Sequence, residues 1–153
     1  PCVAAGAQPE PEARPHAAPG APVSLVGLSV GLAEDDPNIV EAYRQALSQR
    51  GARVIVLAED PQQLQQQLLE LDDLDLIISD FRLRHTTGDL VIQQLRENYN
   101  RDIPAIIVTA DTSPAHITFF RALNVPVLHK PVSFQQLLET VDQVLRTESA
   151  PAG

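Results

Sequence analysis

Four polar segments of the 153-residue chain each follow a run of apolar residues, and together they carry side chains suited to phosphoryl chemistry. They are Glu34-Asp35-Asp36, Asp80, Thr109 and Lys130. Carboxylates that lie together repel one another unless a hard cation binds among them, and Mg²⁺ prefers carboxylate, water and phosphate oxygens. A carboxylate beside such an ion can attack phosphorus, while a hydroxyl and an ammonium group stabilise the transferring group. The pattern predicts a divalent-metal site with Asp80 as the candidate nucleophile.

Each of these residues also has a purely structural interpretation. The acidic run could cap a helix, Asp80 could hold a turn, Thr109 could bond to the local backbone, and Lys130 could be a solvated charge. Lys130 is, however, the one lysine in a chain with ten arginines. A compact ammonium suits a single phosphoryl oxygen, whereas a guanidinium suits bidentate contacts. The combination favours the chemical interpretation.

The apolar runs that precede these segments alternate with helical patterns along the chain. Strands are predicted at 28–33, 54–57, 76–78, 106–108 and 125–128, each followed by apolar residues at helical spacing. Continuous apolar strands are typical of a parallel sheet that helices cover on both faces. Right-handed crossovers then predict an α/β fold, a (βα)5 doubly wound five-stranded parallel sheet of flavodoxin-like order 2-1-3-4-5. Such sheets bind ligands outside the carboxyl ends of the strands, where the four polar segments would meet.

The composition divides the chain into one folded domain and two flanking segments. Six of the thirteen prolines fall in the first 22 residues, amid alanines and few large apolar side chains. This composition predicts a disordered Pro/Ala-rich linker at 1–26. The predicted domain spans 27–147, and 148–153 is predicted to be a short C-terminal tail.

Charge and cysteine content exclude several classes of function. Eleven basic and twenty acidic residues give a formal net charge of −9. This charge argues against electrostatic binding of nucleic acid or anionic lipid by the chain as a whole. The single cysteine, Cys2, leaves no intramolecular disulfide and no Cys-based zinc site. No apolar run reaches the roughly 18 residues of a membrane span. We therefore expect a cytoplasmic domain with no nucleic-acid partner and no direct membrane contact, although a longer parent protein could be membrane-anchored.

From about Leu28 to Arg146 the chain resembles the response-regulator receiver domains of two-component signalling. The motifs that carry the resemblance are Gly31-Leu-Ala-Glu-Asp-Asp-Pro37, Leu76-Ile-Ile-Ser-Asp80 with Gly88 eight residues on, Val108-Thr-Ala110 and His129-Lys-Pro131. The resemblance implies a domain that accepts a phosphoryl group from a phosphohistidine and switches a protein-interaction surface. Such a domain catalyses its own aspartyl phosphorylation and dephosphorylation.

The resemblance also implies a role for each residue around the metal. Asp80 would accept the phosphoryl group and contribute to the metal site, and Asp35 would bind Mg²⁺ (or Mn²⁺) directly. Glu34 stands where the family usually has Asp and would act on the metal mainly through water. The main-chain carbonyl of Arg82 would be a further ligand. Arg84 replaces a frequent proline of this loop, which is expected to change the rigidity of the loop.

Around the phosphoryl group, the resemblance implies that Thr109 would hydrogen-bond one oxygen and Lys130 would neutralise charge. Ala110 would leave space beside them, and the Lys130–Pro131 peptide bond would be cis, as is common in the family. Val127 stands where the family often has an aromatic residue that swings inward on activation. The usual coupling of threonine and aromatic residue is therefore not expected here.

The implied partners are a histidine kinase or histidine phosphotransfer domain as phosphodonor and an unknown downstream protein. The missing methionine, the linker and the short tail favour a receiver from the end of a larger protein. The segments Ser79-Asp-Phe-Arg-Leu-Arg84 and Val127-Leu-His-Lys-Pro131 resemble those of the C-terminal receivers of hybrid sensor histidine kinases. A free-standing regulator is the main competitor. The four histidines, His16, His85, His116 and His129, are interpreted as solvent-facing or packing residues rather than phosphocarriers.

Other classes of function are weighed against this one. A degenerate receiver, acting as an interaction module independent of phosphorylation, would keep the fold and lose the chemistry, and Val127 leaves this alternative open. An aspartate-nucleophile phosphohydrolase normally has a second Asp two residues after the first, where this chain has Arg82. A nucleotide-binding flavodoxin-like protein would need a Gly-rich phosphate loop after the first strand, and none follows it.

Overall fold

Five strands alternate with five helices in the computed structural model, which describes residues 24–111 and 113–149. The strands are β1 (Ser29–Ala33), β2 (Arg53–Val56), β3 (Leu76–Asp80), β4 (Ala105–Thr109) and β5 (Val127–His129). The helices are α1 (Pro37–Gln49), α2 (Pro61–Leu68), α3 (Gly88–Tyr99), α4 (Pro114–Leu123) and α5 (Phe134–Ser149). All strand pairs are parallel, and the order is β2-β1-β3-β4-β5. The predicted fold class and strand order are confirmed.

The two central strands β3 and β4 are buried along their whole length. Successive side chains of a strand point to opposite faces, so Ile77 and Ile107 pack in the core beneath α2, α3 and α4. Their neighbours Ile78 and Ile106 pack in the second core, beneath α1 and α5. Both faces are covered, and this explains why these strands are continuous apolar runs in the sequence.

The register of the sheet brings the predicted site residues to one edge. Ala33 at the end of β1 pairs with Ser79, so Glu34 follows beside the end of β3. Thr109 at the end of β4 pairs with His129 of β5, and Lys130 follows directly. The predicted convergence of the polar segments at the carboxyl ends of the strands is confirmed.

Four helices begin at side-chain caps that the sequence indicated. Asp36 accepts a hydrogen bond from an amide of the first turn of α1, and Asp60 accepts two in α2. Ser113 and Ser133 do the same for α4 and α5. Such caps satisfy amides that lack partners within the helix. Asp36 therefore has the helix-capping role expected of it, whereas the two acidic residues before it, Glu34 and Asp35, are the candidate metal ligands.

The borders of the domain and of β5 differ from the sequence-based expectation. Leu25, assigned to the linker, is 1% exposed and packs in the core beneath α1 and α5, so the folded part begins before the predicted boundary at Gly27. Strand β5 begins at Val127 rather than at 125, because Pro126 has no amide hydrogen for the ladder. Helix α5 extends to Ser149, two residues beyond the predicted domain end. The rest of the predicted linker, 1–23, and of the tail, 150–153, lies outside the described residues.

Gly88 begins α3 in close contact with the end of β3. A Cβ atom at this position would lie 2.5 Å from the Asp80 carbonyl oxygen and 2.8 Å from Ser79 Oγ. We expect Gly88→Ala to lower the free energy of unfolding by about 2–3 kcal/mol, because the Asp80 carbonyl oxygen cannot withdraw without moving the strand. Urea unfolding followed by circular dichroism measures the loss.

The matched control for this prediction is Gly27→Ala. Gly27 has φ of 86° and open space around its missing side chain, so alanine there meets only the backbone penalty of about 1 kcal/mol. An equal loss of stability in the two variants would contradict the account of Gly88.

Among the helices described, none is long and apolar enough to cross a lipid bilayer.

Candidate functional site

Three carboxylates meet at the carboxyl edge of the sheet. Glu34 and Asp35 come from the turn between β1 and α1, and Asp80 ends β3. One oxygen of each lies within 4.8 Å of one oxygen of each other residue. Glu34 and Asp80 are 6% and 8% exposed, whereas Asp35 is half-buried. The sequence brought these residues into one candidate metal site, and the geometry agrees.

Lys130 joins two of these carboxylates from the end of β5. Its Nζ atom donates to Asp80 Oδ2 at 3.1 Å and to Glu34 Oε1 at 3.4 Å. Side-chain exposure is 25% for the lysine but only 9% and 2% for Asp80 and Glu34, so water screens these contacts weakly. One ammonium group beside three carboxylates leaves an excess of negative charge at the site.

Burial and the neighbouring charges shift the pKa values of Glu34, Asp80 and Lys130. Burial raises the pKa of Glu34, partly offset by the hydrogen bond from the Asp36 amide, and the Asp80 charge adds to the rise. Burial also raises the pKa of Asp80, against the hydrogen bond and charge of Lys130. For Lys130, burial lowers the pKa, but the hydrogen bond and charge of Asp80, together with Glu34, outweigh it and the net shift is upward. The carboxylates are thus incompletely neutralised by the lysine.

The donor set fits a divalent cation of the Mg²⁺ or Mn²⁺ type. All three candidate side chains offer oxygen, the ligand atom that these hard cations prefer. Their spacing allows a single ion to reach all three, and a cation there would relieve the repulsion that the lysine leaves. Arg82, whose main-chain carbonyl is the further predicted ligand, lies at the same cavity as Asp80.

A cavity of about 350 Å³ opens beside Asp80. It is lined by Asp80, Arg82, Thr109, Ala110, Asp111 and Lys130. Thr109 is 1% exposed, and its Oγ1 accepts a hydrogen bond from the Asp111 amide at 3.0 Å. The cavity therefore brings together the predicted nucleophile, hydroxyl and ammonium group in a space large enough for a phosphoryl group.

Asp111 is a member of this site that the sequence analysis did not select. Its Oδ2 accepts from Arg82 Nη2 at 2.9 Å and lies 2.7 Å from His116 Nδ1. Hydrogen bonds from Ser113 and then from Arg82 lower the pKa of Asp111 to about 2. The sequence contained a signal that could have identified Asp111 as a site residue, because it stands two residues after Thr109 in a loop at a strand end.

The histidines agree with their predicted packing or exposed roles. His116 packs edge-on against Phe81, with 5.4 Å between the ring centroids. His85 and His129 are exposed, and His16 lies outside the described residues. The ring of His116 thereby connects α4 to the residue that directly follows Asp80.

Two predicted supporting positions lie in β5 and directly after it. Val127, which stands where the family often has an aromatic residue, is half-buried and lines a cavity of about 220 Å³ against α4. The Lys130–Pro131 peptide bond is cis, as predicted. The cavity beside Val127 shows that this valine does not fill the space between β5 and α4.

The comparison with protein families settles what kind of domain carries this site. The family model of the response regulator receiver domain matches residues 30–142. The chain belongs to this family. The receiver domain is therefore established by the match and by the strand order together, and the acidic site lies at the edge where the motifs of the sequence placed it.

Individual relatives support the same assignment. The receiver domain is 30% identical over 115 residues to the C4-dicarboxylate transport transcriptional regulatory protein DctD of Pseudomonas aeruginosa, covering 74% of this chain and 24% of that protein. It therefore spans about a quarter of that relative. The chemotaxis protein CheY4 of Vibrio cholerae is similar in structure, with a TM-score of 0.65, 26% identity, and coverage of 77% of this chain and 98% of that one. The HemR receiver domain of Leptospira biflexa shares the fold, with a TM-score of 0.66, 21% identity, and coverage of 82% and 98%.

Proposed function

We propose that this receiver domain accepts a phosphoryl group from a phosphohistidine onto Asp80, with Mg²⁺ or Mn²⁺ bound, and thereby switches a protein-interaction surface. The observation that carries the proposal is the position of Asp80. Its nearly buried carboxylate lies beside two other acidic groups, contacts Lys130 at 3.1 Å and faces a cavity of about 350 Å³. A structural aspartate that only held a turn would not need this combination.

The residues divide the transfer reaction among them. An Asp80 carboxylate oxygen forms a bond to phosphorus as the bond from phosphorus to the donor nitrogen breaks, and the nitrogen keeps the electron pair. Lys130, already hydrogen-bonded to Asp80, stabilises negative charge on the transferring group. Glu34, Asp35, Asp80 and the Arg82 carbonyl would hold the divalent cation, which when bound neutralises the carboxylates and polarises phosphoryl oxygens.

Thr109 and Asp111 offer a route from the site to α4. The Thr109 Oγ1 accepts the Asp111 amide, which leaves its hydroxyl proton free to be donated to a phosphoryl oxygen, and Ala110 leaves room for that contact. Asp111 accepts in turn from the Ser113 amide, and Ser113 caps α4. A shift of Thr109 toward the phosphoryl group would therefore bias the position of α4.

Val127 gives the second candidate function a specific basis. The cavity between Val127 and α4 is not filled by an aromatic side chain, so the surface there would respond differently to phosphorylation or not respond at all. A degenerate receiver that binds its partner regardless of phosphorylation is the second candidate. The complete set of Asp35, Asp80, Thr109 and Lys130 at one edge favours the first.

The partners and context are proposed on the family membership. The phosphodonor would be a histidine kinase or histidine phosphotransfer domain, and the surface would bind an unidentified downstream protein rather than nucleic acid or membrane. We propose a cytoplasmic location and a parent of the hybrid histidine kinase type, in which the segment before Ser24 connects this domain to the rest. The regulatory role in the name of DctD is stated of that protein, which is about four times longer than the matched part.

The proposal is tested with a small phosphodonor. The protein is incubated with acetyl phosphate, with and without Mg²⁺, and the intact mass is measured. We expect the mass of one added phosphoryl group only when Mg²⁺ is present, because the metal must neutralise the carboxylates before an anionic donor can approach. No adduct together with no Mg²⁺ binding would favour the degenerate receiver.

The proposed carbonyl ligand at Arg82 makes a separate prediction. Arg82→Ala removes an exposed guanidinium, 65% exposed in its pair with Asp111, but keeps the main-chain oxygen. We expect the affinity for Mg²⁺ to rise by less than about threefold, since loss of a screened positive charge slightly favours a cation. Isothermal titration calorimetry measures it, and a tenfold or larger loss would show that the side chain, not the carbonyl, supports the metal.

A further inference from the structure

The loop that carries the proposed carbonyl ligand is a narrow turn between β3 and α3. Arg82 and Thr87 form an antiparallel bridge across its base, and the Leu83 amide donates to the Thr86 carbonyl at 3.1 Å. Arg82 lines the cavity beside Asp80. The position of this loop therefore sets where the Arg82 carbonyl lies relative to the carboxylates.

A hydrogen bond from a different loop fastens the tip of this turn. The Arg84 amide donates to Glu59 Oε1 at 2.8 Å, a contact across 25 positions of the chain. Glu59 lies between β2 and α2 and is half-buried, whereas Arg84 is exposed. The bond depends on the residue type at 84, because a proline there would have no amide hydrogen to donate.

The segment that carries Glu59 is itself held on both sides. The side-chain amide of Gln67 accepts from the Ala58 amide and donates to the Val56 carbonyl, each at 2.9 Å. Asp60, the next residue, caps α2 through two backbone amides. Glu59 therefore projects from a backbone that is fixed to α2. Its carboxylate accepts the Arg84 amide from a fixed position, so the hydrogen bond restrains the loop that carries Arg84.

We propose that Glu59 is a positioning residue of the metal and phosphorylation site, acting through the Arg84 amide to hold the 82–87 loop. The inference rests on the proposed function and extends it to a residue outside the acidic cluster. A carboxylate is a strong acceptor for a backbone amide, and fixing the tip of a short turn limits the movement of its base. The carbonyl of Arg82 is then held in place before the cation binds, so less conformational entropy is lost on binding.

The test compares Glu59→Ala with the conservative Glu59→Gln. Glutamine keeps an oxygen that can accept the Arg84 amide, whereas alanine leaves that amide to water. We expect the affinity for Mg²⁺, measured by isothermal titration calorimetry, to fall about threefold to tenfold in Glu59→Ala and to stay within about twofold in Glu59→Gln. An equal loss in both variants would mean that only the negative charge of Glu59 matters, and would overturn the inference.

A double substitution isolates the Arg84 amide. In an Arg84→Pro background the amide donor is gone, so adding Glu59→Ala should change the affinity for Mg²⁺ no further. A full additional loss in this background would show that Glu59 acts by another route and would overturn the inference. Because the single Glu59 variants suffice for the main comparison, poor folding of the proline variant would not remove the test.

Backbone NMR of the metal-free protein separates this inference from the proposed function. In Glu59→Ala we expect faster hydrogen exchange at the amides of Arg84 and Leu83 than in the wild type, with Glu59→Gln close to wild type. If the wild type bound no Mg²⁺, the proposed function would fail and the inference with it. If the wild type bound Mg²⁺ and Glu59→Ala bound it equally well, the inference alone would fail, whatever the loop amides did.

Discussion

Asp80→Asn is expected to abolish the Mg²⁺-dependent phosphoryl adduct that acetyl phosphate forms with the wild-type protein. The substitution replaces the attacking carboxylate oxygen by an amide oxygen, which is a far weaker nucleophile, in a side chain of nearly the same size. Lys130, which lies 3.1 Å from Asp80 Oδ2, can still contact an amide oxygen there. Intact-mass measurement after incubation with the donor reads the loss directly.

The stability of this variant provides the internal control. Burial raises the pKa of Asp80 above its ordinary value, so ionisation of this carboxyl group costs the folded state stability as the pH rises above that ordinary value. Removing the charge is therefore expected to leave the free energy of unfolding no lower than in the wild type. Loss of the adduct with loss of folding would not support the chemical role.

The same chemical change at a different aspartate completes the comparison. Asp60 caps α2, and Asn is as good a cap as Asp. Asp60→Asn should therefore form the adduct at the wild-type level. An adduct on Asp80→Asn, with the wild-type yield, would contradict the assignment of the nucleophile.

Asp35→Asn is expected to lower the affinity for Mg²⁺ by at least about tenfold and to slow formation of the adduct with it. Asp35 offers one of the three oxygens that lie within 4.8 Å of one another, and it is the half-buried member of the set. Asparagine keeps an oxygen but removes the charge that attracts a divalent cation. Calorimetric titration measures the affinity, and the rate of adduct formation against Mg²⁺ concentration gives an independent value.

The adjacent residue is the matched control. Asp36 accepts a hydrogen bond from the Asn38 amide at the start of α1, and asparagine at this position keeps the cap. Asp36→Asn is therefore expected to bind Mg²⁺ within about twofold of the wild type, because one screened charge near the site changes the affinity little. Equal losses at positions 35 and 36 would point to a general electrostatic effect and not to a ligand.

Much of the site was predictable because strand ends are predictable. Apolar runs at 76–78 and 106–108 are buried on both faces, so their pattern identifies strands, and the topology of parallel sheets then brings their ends together. Asp80, Thr109 and Lys130 follow from that rule alone. Their clustering needed no knowledge of side-chain conformation.

The features that the sequence did not predict depend on loop conformation and on chain ends. The contact of Glu59 with the Arg84 amide joins two loops that are 25 residues apart, and no periodic pattern relates them. The pair of Arg82 and Asp111 connects the same 82–87 loop to the loop between β4 and α4 in the same way. Leu25 lay in a proline-rich stretch, where composition outweighed the single apolar residue that enters the core.

Val127 illustrates a residue whose position was predicted but whose consequence was not. Its place three residues before Lys130 was evident in the sequence, yet the cavity against α4 depends on the packing of side chains from two elements. Packing of this kind is decided by volume and rotamer at each contact. The response of this surface to phosphorylation is therefore a property of the folded domain.

The most direct test of the account is to locate the phosphoryl group on the polypeptide. The protein is treated with acetyl phosphate and Mg²⁺, digested, and the modified peptide is sequenced by tandem mass spectrometry. The account predicts one phosphoryl group, on Asp80, absent when Mg²⁺ is removed. A phosphoryl group on Asp35, on a histidine or on no residue at all would contradict it.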